Sequence, residues 1–270
     1  MDAIADTRRQ TSRQIAGGGT PEAAWLAWPN LAATPRLSLN AHLPQGVRLV
    51  VVAPHPDDEV LSCGGLLGSH AARGGACLVV AVTDGEASHT GSRSWRPSEL
   101  ARARRTESAQ GLETLGIRRA DTVRLGLPDG RVRQHATHLV SGLHLMLRPT
   151  DVVVSTWRRD GHPDHEATGE AVAMVCARNR CRFMEAPVWM WHWAEPGHPQ
   201  VPWHRLMGFD LSGEAVALKR QALAAHVTQL SPRDIPGTPG TQDMPETAPV
   251  LGTAIQERAM RHTEFFFVAP

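Results

Sequence analysis

Val50-Val51-Val52-Ala53-Pro54-His55-Pro56-Asp57-Asp58-Glu59 is an apolar run that stops abruptly at a cluster of metal-ligand side chains. The pattern recurs where Asp151-Val152-Val153-Val154-Ser155-Thr156-Trp157 leads into Asp160-Gly161-His162-Pro163-Asp164-His165. Two strand-like runs therefore each end in a histidine–carboxylate cluster. Ligands of open α/β sheets bind beyond the carboxyl ends of the strands. If the two runs are neighbouring parallel strands, both clusters meet at one site. Imidazole nitrogen and carboxylate oxygen together suit zinc or another divalent transition metal.

Outward from these runs the chain alternates strand and helix. Val47–Ala53 is expected as a buried parallel strand, because its apolar character is nearly continuous. Helical periodicity follows over Val60–Arg73 and is closed by Gly74-Gly75. Leu78–Val82 is the next strand, stopping at Thr83-Asp84-Gly85-Glu86. Ser98 is placed to cap a helix that runs to Leu115. A strand at Asp121–Leu125, a helix at His135–Leu147, a strand at Asp151–Trp157 and a helix from Asp164 or His165 to Ala177 continue the series. This rhythm predicts an α/β, Rossmann-like fold: a mostly parallel sheet, helices on both faces, and the metal site at the C-terminal ends of the strands.

Beyond residue 182 the character changes. Val188/Met190/His192 alternate with Trp189/Trp191/Trp193, which predicts a two-faced strand over Ala186–Trp193 with the tryptophans on one face. Leu206–Leu211 is expected to pair with it, and Glu214–Gln229 to form one amphipathic helix. Residues 231–249 contain five prolines and no periodicity. They predict a long, mobile loop, expected at the rim of the substrate entrance. A short helix near Thr253–Arg261 and a strand at Phe265–Val268 close the chain. Residues 1–45 are expected as an arm packed on the body through Trp25 and Trp28. Residues 46–270 are then one domain, with a β/α core (46–182) and a substrate-side portion (183–270).

Composition narrows the function. With 270 residues, 41% of them hydrophobic, the chain can bury a sizeable core. A net charge of +1 argues against a strong field for nucleic acid or anionic lipid. The apolar runs fall short of the roughly 20 residues of a membrane helix. Gly17-Gly18-Gly19 and Pro21 stand where a secretory signal needs an apolar core. Cys63, Cys77, Cys176 and Cys181 form no Cys-x-x-Cys pair, so a cytoplasmic, reduced protein is expected.

In the first cluster, Asp57, Asp58 and Glu59 crowd together beside His55, and crowded carboxylates repel one another unless a cation is present. In the second, one of His162 and His165 can bind metal while the other faces substrate, and Asp164 can fix a ring tautomer. These residues alone do not decide between Asp57 and Asp58 as a metal ligand.

The Ala53-Pro54-His55-Pro56-Asp57-Asp58-Glu59 run resembles the hallmark of the LmbE/PIG-L de-N-acetylases, and Asp160-x-His162-Pro163-Asp164-His165 resembles their second motif. Thr83-Asp84-Gly85-Glu86, Arg104 with Glu107, and Leu125-Gly126-Leu127-Pro128-Asp129-Gly130 follow the family order. The resemblance covers about Val47–Arg178; Pro54 stands where the family usually has Ala. It implies that His55, Asp58 and His165 bind zinc, with iron(II) also suited to that donor set. It further implies that Asp57 is the general base, that His162 faces the reacting carbonyl, stabilising the oxyanion if protonated, and that Asp164 orients His162. Arg104 and Asp129 would line the substrate pocket, Asp129 accepting from sugar hydroxyls and Arg104 holding a hydroxyl or a phosphate, although Arg104 could instead form a helix-surface ion pair with Glu107 and Asp129 could simply belong to a turn. The implied reaction is metal-dependent hydrolysis of the N-acetyl amide of a small amino-sugar conjugate, releasing acetate and a free amine. Alternatives are an amidase releasing a larger acyl group or cleaving a thiol conjugate, and a metal-binding protein without turnover.

Overall fold

The computed structural model describes residues 13, 15, 17–233 and 248–268. Among them, β1 (Leu49–Ala53), β2 (Cys77–Thr83), β3 (Thr122–Leu127), β4 (Val152–Thr156), β5 (Arg182–Ala186), β6 (Leu206–Asp210) and β7 (Thr263–Val268) form one sheet. The strand order is β3-β2-β1-β4-β5-β7-β6. β1 pairs in parallel with both β2 and β4, so Val51 lies between Val79 and Val154. β5 continues the parallel set, whereas β7 runs antiparallel to β5 and to β6. Chain order reverses between β1 and β4, the switch point at which such sheets bind ligands.

Alternation along the strands makes both faces apolar. Leu49, Val51, Val79, Val152 and Val154 pack with residues of the helices Asp58–Ala72 and Gly213–Ala224. Val50, Val52, Val80, Val82 and Val153 pack on the other face with residues of Ala136–Met146 and Pro163–Asn179. All five residues of β1 and of β4 are buried, which explains their unbroken apolar sequence.

The later third departs from the sequence expectations. The strand ends at Ala186, and Met190–Trp193 is a helical turn. Pro187 stops the ladder, and the N–H groups of Val188, Trp189 and Met190 turn to the Asp160 carboxylate instead. The three tryptophans consequently share no face. Trp191 is buried against Trp25, Trp193 stacks on Trp157, and Trp189 reaches the strand-end pocket. β6 pairs with β7, which lies between it and β5. The expected helix 214–229 breaks at Ala225-His226 into Gly213–Ala224 and Val227–Leu230. β5 escaped notice because Arg182 and Glu185 interrupt its apolar pattern; Glu185 is nonetheless buried, paired with Arg158 and Arg205.

One helix is broken where it leaves the strand-end cluster. In Asp58–Ala72, Cys63 has φ −155° and ψ 24°, outside helical values. The kink leaves backbone groups without helical partners. Lys219 Nζ donates to Leu61 O at 3.2 Å, while Glu264 accepts from Gly65 N–H at 2.7 Å and Leu66 N–H at 2.8 Å. Lys219 and Glu264 pair with each other at 2.6 Å, both buried.

The described part of the arm is packed on the last third. Trp25 is fully buried, its Nε1–H donating to Trp191 O at 3.0 Å, and Glu22 pairs with Arg261 at 2.6 Å. Trp25→Phe removes that donor and leaves a buried carbonyl unsatisfied. The variant is expected to lose about 1–3 kcal/mol of stability, measurable as a lower urea midpoint with an unchanged slope.

Candidate metal centre and active site

The turn after β1 is held from several sides. Pro54 O accepts the N–H and the Oγ1–H of Thr83, fastening the turn to β2. Asp57 has φ +145°, a conformation L-residues rarely adopt and that persists only when its surroundings fix it. Its N–H donates to Glu59 Oε2 at 3.0 Å, and Ser108 holds Glu59 Oε1 at 2.6 Å. Arg104, reaching in from the helix Pro97–Thr114, donates to Pro56 O at 2.9 Å, Gly85 O at 2.9 Å and Asp57 Oδ2 at 3.1 Å. Gly85 has to be glycine here: its φ is +68°, and a Cβ would lie 2.0 Å from Arg104 Nη1.

β4 delivers the second cluster. His162 precedes the helix Pro163–Asn179, and its Nδ1 accepts the Asp164 N–H at 3.2 Å. His165 stands one residue further into the helix, its Nδ1–H directed at Asp160 Oδ2, 2.8 Å away.

His55 Nδ1, Asp58 Oδ2 and His165 Nε2 then close a triangle. Its edges are 3.1 Å from His55 to Asp58, 3.2 Å from Asp58 to His165, and 3.3 Å between the two imidazoles. Ligand atoms about 2.0–2.1 Å from a tetrahedral zinc lie roughly 3.3–3.4 Å from one another. The donor set therefore fits such an ion and leaves a fourth position toward the pocket. His162 also offers a nitrogen within 4.8 Å of ligand atoms of His55 and His165, and Asp129 and Asp164 each offer a carboxylate oxygen within the same distance of His55. The tighter triangle is the better match, because Asp129 and Asp164 face the opposite nitrogen of His55, at 3.2 Å and 3.5 Å. That contact orients Nδ1 inward, as carboxylate partners of ligand histidines do.

Charge points the same way. Asp58, Asp129, Asp160 and Asp164 press on the imidazoles of His55 and His165, while Asp57 pairs with Arg104. Burial opposes charge on His55 and His165, yet their carboxylate neighbours raise both, His165 to about 9. Burial works against the Asp58 carboxylate, but His165 and His55 hold it well below the ordinary range. Burial lifts Asp57 to about 7 against the pull of Arg104. Burial and the neighbouring imidazoles push His162 down to about 3, so its ring is neutral. A centre in which four carboxylates press on two imidazoles is one that a divalent cation neutralises.

The pocket above the triangle has a volume of about 250 Å³. Every residue expected to act lies on or against it, with three changes of part. Arg104 is buried and lines the pocket, but its guanidinium grips Asp57 and two carbonyls; it makes no surface pair with Glu107, which instead binds Thr228. The Asp129 carboxylate, expected to take sugar hydroxyls, accepts from His55 and from Ala87 N–H at 2.8 Å. The Asp164 carboxylate does not orient His162; it holds Gly130 N–H and Val132 N–H, and the Asp164 backbone N–H orients the ring.

Several neighbours of these residues had no individual part assigned from the sequence. Glu59 reads as an ordinary first-turn acid, and only its burial against Ser108 shows that it fixes Asp57. Trp189, Gln229, Val250 and Leu251 reach the pocket through the tertiary fold. Asp160 stood inside the quoted motif, five residues before His165, without an assigned part. The ends of the Pro-rich segment meet near the pocket: Leu251 N–H donates to Gln229 O at 3.0 Å, and Arg233 Nε donates to Ala248 O at 2.9 Å. Residues 234–247, on which the expected mobility falls, lie outside the described residues. No described helix is long and apolar enough to cross a membrane.

The chain is similar to known proteins in sequence and fold. The family model described as PIG-L, GlcNAc-PI de-N-acetylase, matches residues 50–176. A probable N-acetyl-alpha-D-glucosaminyl L-malate deacetylase 2 of Bacillus anthracis is 29% identical over 197 residues, covering 68% of this chain and 81% of that protein. The 1D-myo-inositol 2-acetamido-2-deoxy-alpha-D-glucopyranoside deacetylase of Rhodococcus jostii is 27% identical over 240 residues, covering 68% and 82%. Among solved structures, the N,N'-diacetylchitobiose deacetylase of Pyrococcus horikoshii has the same fold, with a TM-score of 0.59 at 18% identity over 87% of this chain and 88% of that one. The matched segment begins in β1 and ends in the helix that carries His165, so residues 50–176, which match a PIG-L (LmbE-like) domain, enclose both strand-end clusters.

Proposed function

We propose that this protein is a zinc-dependent hydrolase that removes the acetyl group from an N-acetylated amino-sugar conjugate, releasing acetate and a free amine. The observation that carries the proposal is the His55–Asp58–His165 triangle, with edges of 3.1–3.3 Å, opening into a pocket that Asp57 and His162 also line. The deacetylase relatives, named for N-acetylglucosaminyl malate and inositol conjugates, support the substrate class.

A divalent metal on these three ligands supplies a Lewis acid for the amide carbonyl and lowers the pKa of water. Asp57 accepts the proton of the attacking water as general base. Its buried position and its contact with Arg104 set its basicity in opposite directions. His162 acts as a neutral donor rather than a cation. Its Nδ1 is occupied by the Asp164 N–H, so the ring proton sits on Nε2 and can donate to the carbonyl oxygen as charge develops there. Protonated Asp57 then returns its proton to the departing amine. Trp189 offers an aromatic face to the sugar, and Gln229, Val250 and Leu251 place the base of the 231–249 segment where the group attached to the sugar would pass. A cytoplasmic setting belongs to this reading, in keeping with the four free cysteines.

The test is amine release from a panel of N-acetylglucosaminyl conjugates by metal-defined protein. Chelation is expected to abolish turnover and added zinc to restore it, with iron(II) compared in parallel because histidine and carboxylate donors accept it as well. Turnover that survives complete metal removal excludes the proposed chemistry.

A further inference from the structure

Asp160 is fully buried, and its carboxylate is saturated. Oδ1 accepts the N–H of Val188 at 3.0 Å and of Met190 at 2.9 Å. Oδ2 accepts the N–H of Trp189 at 3.0 Å and the His165 Nδ1–H at 2.8 Å. The Asp160 carbonyl takes the Trp193 Nε1–H at 2.7 Å. An ionised carboxylate has about four acceptor positions, and all four are filled by donors.

We propose that Asp160 is a positioning residue that fastens the metal ligand His165 and the pocket-lining Trp189 turn to one carboxylate, so that the metal site and one wall of the substrate pocket are set together. The inference rests on the metal-centre reading above. Three backbone N–H groups can only donate, and an ionised Asp160 can only accept, so with that carboxylate the fourth partner, His165, donates as well. With a cation in the triangle, His165 would therefore keep its one proton on Nδ1 and turn the Nε2 lone pair to the centre that it shares with Asp58 and His55. Val188, Trp189 and Met190 have no strand partners for those N–H groups, because Pro187 has ended β5. One side chain thereby fixes a tautomer on one side and a chain reversal on the other.

Asp160→Asn tests this with nearly unchanged shape. The new amide puts a donor where every neighbour donates. His165 can answer only by moving its proton to Nε2, which removes the lone pair from the metal site; the alternative is release of the 188–190 turn. Three readouts apply. Zinc affinity, from competition with a chelator of known strength, is expected to fall 10–100-fold, the usual effect of losing a partner of a ligand histidine. Imidazole ¹⁵N–¹H correlation spectra are expected to place the His165 proton on Nδ1 in the zinc-loaded parent and off it in the variant. On titrating zinc into the parent, the Met190 amide, buried and bonded to Asp160, is expected to shift in step with occupancy. Equal zinc affinity in parent and variant overturns the proposal while leaving the metal centre standing. A parent that binds no zinc overturns both. The second and third readouts use the parent itself, so a variant that fails to fold does not remove the test: an Nε2–H tautomer of His165 in the zinc-loaded parent, or a Met190 amide indifferent to zinc, overturns the proposal.

Discussion

Asp57→Asn is expected to bind metal as the parent does and to lose roughly 10²–10⁴ in amide hydrolysis, the usual worth of a general base. The ligand triangle does not include Asp57, and asparagine has nearly the same shape. The unusual φ of +145° should survive, because Asp57 N–H remains bonded to Glu59 and Arg104 keeps Pro56 O and Gly85 O. What disappears is the proton acceptor. Metal content by elemental analysis and turnover by amine release separate the two effects. Asp58→Ala provides the contrast: it removes a corner of the triangle and is expected to lower metal content itself. Near-parent turnover in metal-loaded Asp57→Asn would assign the base elsewhere, and equal metal content in both variants would dissolve the distinction between the two aspartates.

Lys219→Met should destabilise the fold by about 3–5 kcal/mol, the range for removing one partner of a buried ion pair. Glu264 would keep its bonds to Gly65 and Leu66 but lose the ammonium at 2.6 Å, and Leu61 O would lose its donor. The source of the loss can be isolated. In Lys219→Met/Glu264→Gln the buried charge is gone and one carbonyl acceptor remains for the two N–H groups. Urea unfolding is expected to rank the double variant above Lys219→Met alone. If the single variant is as stable as the parent, the pair does not stabilise the kinked helix behind Asp58 in the way the geometry indicates.

The core of the fold was legible from local pattern. β1 and β4 are buried on both faces, so their sequences had to be continuously apolar, and a parallel sheet followed from their alternation with helices. The histidine–carboxylate clusters were legible for a related reason: each stands directly after such a strand, and adjacent parallel strands bring their ends together. Residues past Ala186 were misread because an alternation of Trp with Val, Met and His has the period of a strand but no partner to pair with. Pro187 and a carboxylate twenty-odd positions upstream, Asp160, decided the chain's path there.

Sequence alone determined which side chains gather at the strand ends, because strand-end position is a property of the apolar pattern; residue type left Asp57 and Asp58 undivided, and only the resemblance to the family separated them. Only the tertiary structure decided which nitrogen of each histidine faces inward, that Arg104 and Asp129 hold Asp57 and His55, and that Asp164 braces the 130–132 loop. Those assignments depend on where buried N–H groups and carbonyls find partners. That is settled by contacts between segments distant in sequence, and a buried polar group takes whichever partner the completed fold brings within reach.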